Sequence, residues 1–122
     1  MESILMDIPK TLPWIDDAKK YIDDHLTDPN LSLKQISHHF SMNPVQFSRM
    51  FKEGAGEKFI DYVTRLRIEL SMKKLAMSSD SIQEIAWQVG YTHVVSFIRA
   101  FKKSTELTPG HFRKDSREAG SI

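Results

Sequence analysis

The stretch that decides the fold is residues 90–113, with the sequence GYTHVVSFIRAFKKSTELTPGHFR. Gly90 suits the left-handed position of a tight turn, and the residues after it predict a short helix. Phe97 and Phe101 recur at helical spacing on one side of that helix, whereas Arg99 lies two residues from each ring and so faces outward. The stretch therefore predicts a helix with a buried aromatic side and a basic outer side, stopped by a threonine–proline pair.

The same pattern occurs fifty residues earlier in the chain. Residues 47–52, FSRMFK, have the Phe-x-Arg-x-Phe-Lys spacing of residues 97–102, FIRAFK. The offset of 50 also pairs Tyr62 with Phe112, and an offset of 49 pairs the apolar positions of the segments that precede the two copies. Such a match over about thirty residues indicates two copies of one helical unit, the second with a turn one residue longer. The repeated aromatic residues predict core positions: Phe47, Phe51, Phe97 and Phe101.

The N-terminal half predicts three helices. Residues 13–26 carry an apolar stripe at helical spacing, with a proline in the first turn, and predict a scaffold helix. Residues 32–40 predict a second helix with Ser32 as its N-cap, and Pro44 starts a third helix that ends near Gly54. Two helices joined by a turn of three or four residues form the helix-turn-helix pattern.

The C-terminal half repeats this order after a long helix. Residues 58–77 contain no glycine or proline and predict an uninterrupted helix of about 30 Å, at roughly 1.5 Å per residue. Ser81 and Glu84 form a capping box for the next helix, and Thr108 opens a last short helix through Phe112. The sequence therefore predicts an all-α fold of two helix-turn-helix subdomains, about seven helices in total, joined by a long central helix. The expected division is an N-terminal extension at residues 1–12, a first subdomain at 13–56, a linker helix at 57–77, a second subdomain at 78–115 and a C-terminal tail at 116–122.

The composition argues against several classes of protein. No apolar run approaches the roughly 20 residues that cross a bilayer, and the first residues, MESILMDIPK, lack the basic and apolar regions of a signal peptide. The absence of cysteine excludes disulfides and thiolate zinc sites and favours a cytoplasmic location. Residues 1–31 hold three lysines against seven carboxylates, whereas residues 32–122 hold 14 basic against 9 acidic side chains. A basic body of this kind suits a polyanionic partner, and chance segregation on a solvated surface is the alternative.

The chain lacks the motifs of the common catalytic and cofactor sites. Its five histidines form no HExxH pattern, and the adjacent His38 and His39 point to different faces of their helix. Residues 54–58, GAGEK, have neither the length nor the final hydroxyl residue of a phosphate-binding loop. The sequence therefore predicts no enzyme, no catalytic residue, no metal site and no cofactor.

The repeated motif resembles that of a known family. The second copy contains Ile-Ala, Gly-aromatic, Phe-x-Arg-x-Phe-Lys, Thr-Pro and aromatic-Arg, at residues 85–86, 90–91, 97–102, 108–109 and 112–113. The first copy matches through residues 47–52, Gly56 and Tyr62. Over about residues 14–114 the sequence resembles the DNA-binding domain of the AraC/XylS family of bacterial transcription regulators. The resemblance implies sequence-specific binding to double-stranded DNA by two recognition helices in successive major grooves, and regulation of transcription.

The second copy departs from the family's pattern at four positions. Glu106 stands where the family usually has glycine, so the end of that helix is open to a different geometry. Val94 and Val95 replace more polar residues, and Ile98 often has a small polar counterpart. These changes affect the DNA sequence that the second helix would read, and they leave the fold intact.

The outer faces of the two predicted recognition helices, about residues 44–54 and 93–104, supply the candidate DNA contacts. Arginine suits guanine best because its fork meets O6 and N7 together. The predicted base-reading residues are Val45, Gln46, Ser48, Arg49, Val95, Ser96 and Arg99. Basic side chains at the helix flanks are better placed for phosphates. The predicted phosphate contacts are Lys52, Lys102, Lys103 and Arg113.

Other roles for these residues remain open at this point. An ion pair with a neighbouring acid is the alternative for Arg49 and Arg99, and a solvated surface charge is the alternative for each lysine. A helical protein-interaction module that contacts RNA polymerase or another regulator is the alternative for the whole chain, with Val94, Val95 and Ile98 as its apolar patch. The expected partners are double-stranded DNA, bound by a monomeric domain, and RNA polymerase in addition, with no membrane.

Overall fold

The fold consists of helices joined by short turns. The computed structural model describes the backbone of residues 2–120 and the side chains of residues 14–119, and these ranges contain no β-strand. The predicted all-α class with seven helices is confirmed. The helices are α1 (Glu2–His25), α2 (Leu33–His39), α3 (Pro44–Ala55), α4 (Phe59–Met77), α5 (Ile82–Gln88), α6 (Val94–Thr105) and α7 (Pro109–Gly120). In the part of the chain that the structure describes, none of them is long and apolar enough to cross a bilayer.

Two compact units divide the chain. The first contains Met1–His25 and Asn30–Val63, and the second contains Leu26–Pro29 and Thr64–Ile122. The helix α4 belongs to both, because its first residues lie in the first unit and the remainder lies in the second. The predicted domain boundaries stay a prediction.

Aromatic rings form the centre of the first unit. Phe47 and Phe51 on α3 are 0% exposed, and their ring centroids lie 5.8 Å apart. Phe59 meets both rings edge-on at 5.9 Å, and Trp14 meets Phe47 at 5.5 Å. Aromatic pairs at these distances contribute about 0.5–1.5 kcal/mol each beyond the burial of their area. The rings therefore fix α3 against the beginning of α4 and against α1.

The second unit has an equivalent core around α6. Phe97 and Phe101 are 0% exposed, with ring centroids 5.8 Å apart, and Phe112 meets Phe101 at 5.6 Å. Other members of the buried cluster come from α4, from α5 and from the C-cap residue of α5: Ile68, Leu75, Ile85, Ala86 and Val89. The predicted core positions of all four repeated phenylalanines are confirmed.

Two helices are longer than the sequence predicts. The helix α1 begins at Glu2, where residues 13–26 predict a start at Pro13, and it continues through that proline despite the missing N–H. The helix α7 runs to Gly120, where the prediction ends at Phe112 and leaves a frayed tail. In α7, Arg117 donates from Nη2 to the Ser78 carbonyl at 3.2 Å, a tertiary contact that holds its later turns. Residue 1 and residues 121–122 of the predicted end segments lie outside the described residues.

Two arginines bond backbone carbonyls in the turn after α1 and at the end of α4. Arg67 donates from Nε to the Leu26 carbonyl at 2.9 Å and from Nη2 to the Asp28 carbonyl at 3.0 Å. Arg113 donates in the same way to the carbonyls of Leu75 at 3.0 Å and Ser78 at 3.2 Å. The last carbonyls of a helix have no intrahelical partner, and a guanidinium there also complements the helix dipole. Burial lowers the pKa of Arg67 from its ordinary value, while Tyr91 and Asp28 act to raise it.

Candidate nucleic-acid interface

The two helix-turn-helix turns have the same backbone hydrogen bonds. Ser41 (φ 55°) and Gly90 (φ 107°) occupy the left-handed position of each turn. The amides of Ser41 and Met42 donate to the carbonyls of His38 (3.0 Å) and Ser37 (2.9 Å), and those of Gly90 and Tyr91 donate to Trp87 (3.1 Å) and Ala86 (2.9 Å). Equivalent residues of the two copies are 49 apart in the chain up to Met42 and Tyr91, and 50 apart from Asn43 and His93 onward. Thr92 is therefore the extra residue, which confirms the longer second turn.

The helices α3 and α6 differ at their beginnings. Asn43 caps α3, because its Oδ1 accepts a hydrogen bond from the Gln46 amide at 2.8 Å, and Pro44 occupies the first turn. His93 occupies the N-cap position of α6 but makes no side-chain cap hydrogen bond. A polar N-cap contributes roughly 1 kcal/mol. The helix α3 thus has a stabilised N-terminus that α6 lacks.

The same two helices end alike. Gly56 (φ 81°) donates its amide to the Lys52 carbonyl at 2.9 Å, and Glu106 (φ 67°) donates to the Lys102 carbonyl at 2.8 Å. The different helix end that Glu106 suggested is therefore not found. Glu106 adopts the left-handed conformation of the glycine that it replaces, at a backbone cost that a glycine would not have.

Six of the seven predicted base-reading side chains are exposed on α3 and α6. Val45 is 78% exposed and Val95 is 61% exposed, whereas Ser48 is half-buried. Arg49 and Arg99 are exposed at equivalent positions, and no hydrogen bond or ion pair holds either guanidinium within the described residues. The structure thus offers no support for the alternative that these arginines serve as internal ion-pair partners.

The predicted phosphate contacts fall into two groups. Lys52, Lys102 and Lys103 are exposed near the ends of α3 and α6, and their ammonium groups have no partner among the described side chains. Arg113 is half-buried, and its guanidinium already caps the end of α4 through the carbonyls of Leu75 and Ser78. Its phosphate contact stays a prediction. The structure adds a second role, the capping of α4, which the position of Arg113 in the sequence motif did not indicate.

A basic groove lies beside α3 in the first unit. It has a volume of about 380 Å³ and brings Ser48, Arg49 and Lys52 together with Lys58. The remaining lining residues are apolar: Leu33, Pro44 and Val45. Lys58 was not predicted as a site residue, because it follows a glycine turn and falls outside the helical spacing that identifies the others.

The apolar patch of the protein-interaction alternative is smaller than its sequence suggests. Val94 and Ile98 are half-buried and pack against the core cluster of the second unit, so only Val95 is exposed. A single exposed valine is ordinary for a protein surface. This observation weakens the alternative.

The repeated helix-turn-helix geometry defines a class of DNA-binding domain. A family model described as a helix-turn-helix domain matches residues 25–115. The chain belongs to the AraC-type family of DNA-binding transcription regulators, which confirms the resemblance seen in the sequence.

Relatives of known sequence and structure agree with this assignment. The uncharacterized transcriptional regulatory protein YesN of Bacillus subtilis (strain 168) is 43% identical over 98 residues, which cover 78% of this chain and 27% of that protein. The C-terminal domain of AraT, a response regulator from Geobacillus stearothermophilus, is 33% identical with a TM-score of 0.81, covering 84% of this chain and 85% of that one. The DNA-binding domain of AdpA in complex with a target DNA has a TM-score of 0.80 at 18% identity, covering 86% and 94%, and so shares the fold. The chain spans less than half the length of curated relatives such as YesN, of which it covers 27%.

Proposed function

We propose that the chain binds double-stranded DNA sequence-specifically through α3 and α6, which enter successive major grooves. Equivalent arginines support this proposal: Arg49 and Arg99 project from the exposed sides of two helices that are copies of each other. A helix about 10–12 Å across fits the roughly 12 Å width of the major groove. Since the two copies differ in sequence, the DNA site is asymmetric and is read by one chain.

The base contacts follow from the chemistry of the exposed side chains. Arg49 and Arg99 each read a guanine through O6 and N7, a contact worth about 1–3 kcal/mol against a wrong base. Val45 and Val95 contact thymine methyl groups, and Gln46 and Ser96 hydrogen-bond to base edges. Ser48 is half-buried, so its contact with a base edge depends on a close approach of α3 to the groove floor.

Phosphate contacts supply affinity that does not depend on sequence. Lys52, Lys102 and Lys103 neutralise phosphates on either side of the recognition helices, and each contact releases condensed counterions. Arg113 reaches a phosphate only with the donors that remain after it caps α4. Binding is therefore expected to weaken steeply as salt rises.

Selection from random duplex DNA tests this function. The expected site has two blocks of sequence whose centres lie about 10 base pairs apart, one helical turn of DNA. Arg49→Ala should erase the preference within one block, and Arg99→Ala should erase it within the other. Recovery of no enriched sequence, or of a single block that both variants affect, would contradict the proposal.

We extend the proposal to the setting in which the domain acts. It binds DNA as a monomer in the cytoplasm, contacts RNA polymerase while bound, and catalyses no reaction. Titration of a selected duplex should saturate at one chain per site. A second chain per site, or polymerase binding by a chain that ignores duplex DNA, would favour the interaction-module alternative.

A further inference from the structure

The basic groove beside α3 contains a cation that the proposed function does not use. Its lining carries three formal positive charges, from Arg49, Lys52 and Lys58, and no acidic side chain. Arg49 and Lys52 already have assigned roles on the recognition helix. Lys58 lies beyond the end of that helix, is exposed, and has no side-chain partner among the described residues.

The position of Lys58 relative to α3 is held by the core. Its carbonyl accepts the Tyr62 amide at 2.9 Å, which ties its backbone to the first turn of α4. The next residue, Phe59, is 4% exposed and meets the rings of Phe47 and Phe51 at 5.9 Å each. Lys58 therefore presents an exposed charged side chain from a backbone that is fixed beside α3.

The second unit has no equivalent cation. At the offset of 50, Thr108 replaces Lys58, and its Oγ1 accepts the His111 amide at 3.2 Å as a helix cap. Ile98 replaces Ser48, so the corresponding surface also loses a hydroxyl. A feature of the shared fold would be expected in both copies, whereas this combination of charges belongs to the first alone.

We propose that Lys58 is a phosphate-contact residue and that the sugar–phosphate backbone of bound DNA passes along the edge of this groove at Lys52 and Lys58, while Arg49 reaches the bases. The inference rests on the proposed function, in which α3 occupies the major groove. Because an α-helix nearly fills that groove, surfaces that flank α3 meet the sugar–phosphate backbone at its edge. Lys58 and Lys52 hold the phosphates that flank α3 from two sides, and Lys58 adds one sequence-independent contact that has no counterpart at Thr108 in the second copy.

The salt dependence of binding measures this contact. Loss of one phosphate contact should reduce the slope of log Kobs against log salt by about 0.9, and affinity at 0.1 M salt by about eightfold. Lys58→Gln should show both changes on specific and non-specific duplexes. Lys73→Gln is the matched control, because Lys73 is an exposed lysine on α4 outside the groove. It should bind as the unchanged chain does.

A scan with methylphosphonate duplexes locates the contact. Neutralising one phosphate beside the first half-site should weaken the unchanged chain and have no further effect on Lys58→Gln. The inference would be overturned if Lys58→Gln left the slope of log Kobs against log salt unchanged, or if Lys58→Gln and Lys73→Gln lost equal affinity for the duplex. Either result would leave the proposed function in place. Absence of salt-dependent duplex binding by the unchanged chain would overturn both. Circular dichroism confirms that each variant is folded.

Discussion

Replacing Glu106 with glycine should stabilise the protein, because Glu106 ends α6 in a left-handed conformation. A non-glycine residue there costs about 1–2 kcal/mol. Glycine would relieve this cost, but its greater conformational freedom in the unfolded chain lowers the stability of the folded state by about 0.4–1 kcal/mol. The Glu106 side chain is exposed and makes no hydrogen bond or ion pair within the described residues, so its loss removes little stabilising interaction. The expected net gain in the free energy of unfolding is about 0.8 kcal/mol.

The opposite substitution, from glycine to another residue at a left-handed helix end, can be made at the end of α3. Gly56 has φ 81°, and a β-carbon there would meet no atom within 4 Å, so Gly56→Ala tests the backbone conformation without a steric clash. It should lose about 0.8 kcal/mol by the same arithmetic. Gly110 lies in α7 without a positive φ and also has open space, so Gly110→Ala reports the unfolded-state entropy alone. That variant should gain stability.

Urea unfolding followed by circular dichroism measures all three variants. With a slope of about 2 kcal/mol per molar urea, Glu106→Gly should raise the midpoint by about 0.4 M and Gly56→Ala should lower it by a similar amount. The assignment of strain to Glu106 is refuted if Glu106→Gly leaves the midpoint unchanged or lowers it while Gly56→Ala is destabilising. Opposite signs for these two variants, with Gly110→Ala stabilising, would support it.

Three further predictions follow from the geometry of the two copies. Arg99→Ala should weaken binding to a selected duplex far more than binding to a random one, whereas Lys102→Ala should weaken both alike. If both variants lost selected and random binding in the same proportion in a mobility-shift titration, the separation of base reading from phosphate contact would be contradicted. Asn43→Ala should cost about 1 kcal/mol of stability by removing the cap of α3, and His93→Asn should restore a similar amount to α6, as thermal unfolding will show. Arg67→Met should cost about 2 kcal/mol, because two carbonyls lose their donors, and a loss below about 0.5 kcal/mol would refute that role.

Local pattern was enough to locate the recognition helices and their aromatic sides. The spacing of Phe47 and Phe51, and of Phe97 and Phe101, encodes burial because residues four apart lie on one face of a helix. The same periodicity placed Arg49 and Arg99 on the outer faces, where the structure has them exposed. Their contacts with bases stay predictions.

Features set by backbone conformation were less visible in the sequence. Ser41 and Glu106 adopt left-handed conformations that the sequence alone would assign to glycine. In each case the packed helices on both sides determine the turn, and the local preference of the residue yields to them. Comparison of the two copies explains both conformations, since Gly90 occupies the position equivalent to Ser41 and Gly56 the position equivalent to Glu106.

By itself the sequence determined that the chain holds two copies of a helix-turn-helix unit, which faces of their helices are buried, and which family they belong to. Those properties depend on periods of three to four residues and on a repeat that can be counted. Only the tertiary structure decided that Arg67 and Arg113 bond backbone carbonyls 41 and 38 residues away in the chain. It alone brought Lys58 beside α3. Such contacts depend on how packed elements meet in space, and the local periodicity of a sequence does not contain that information.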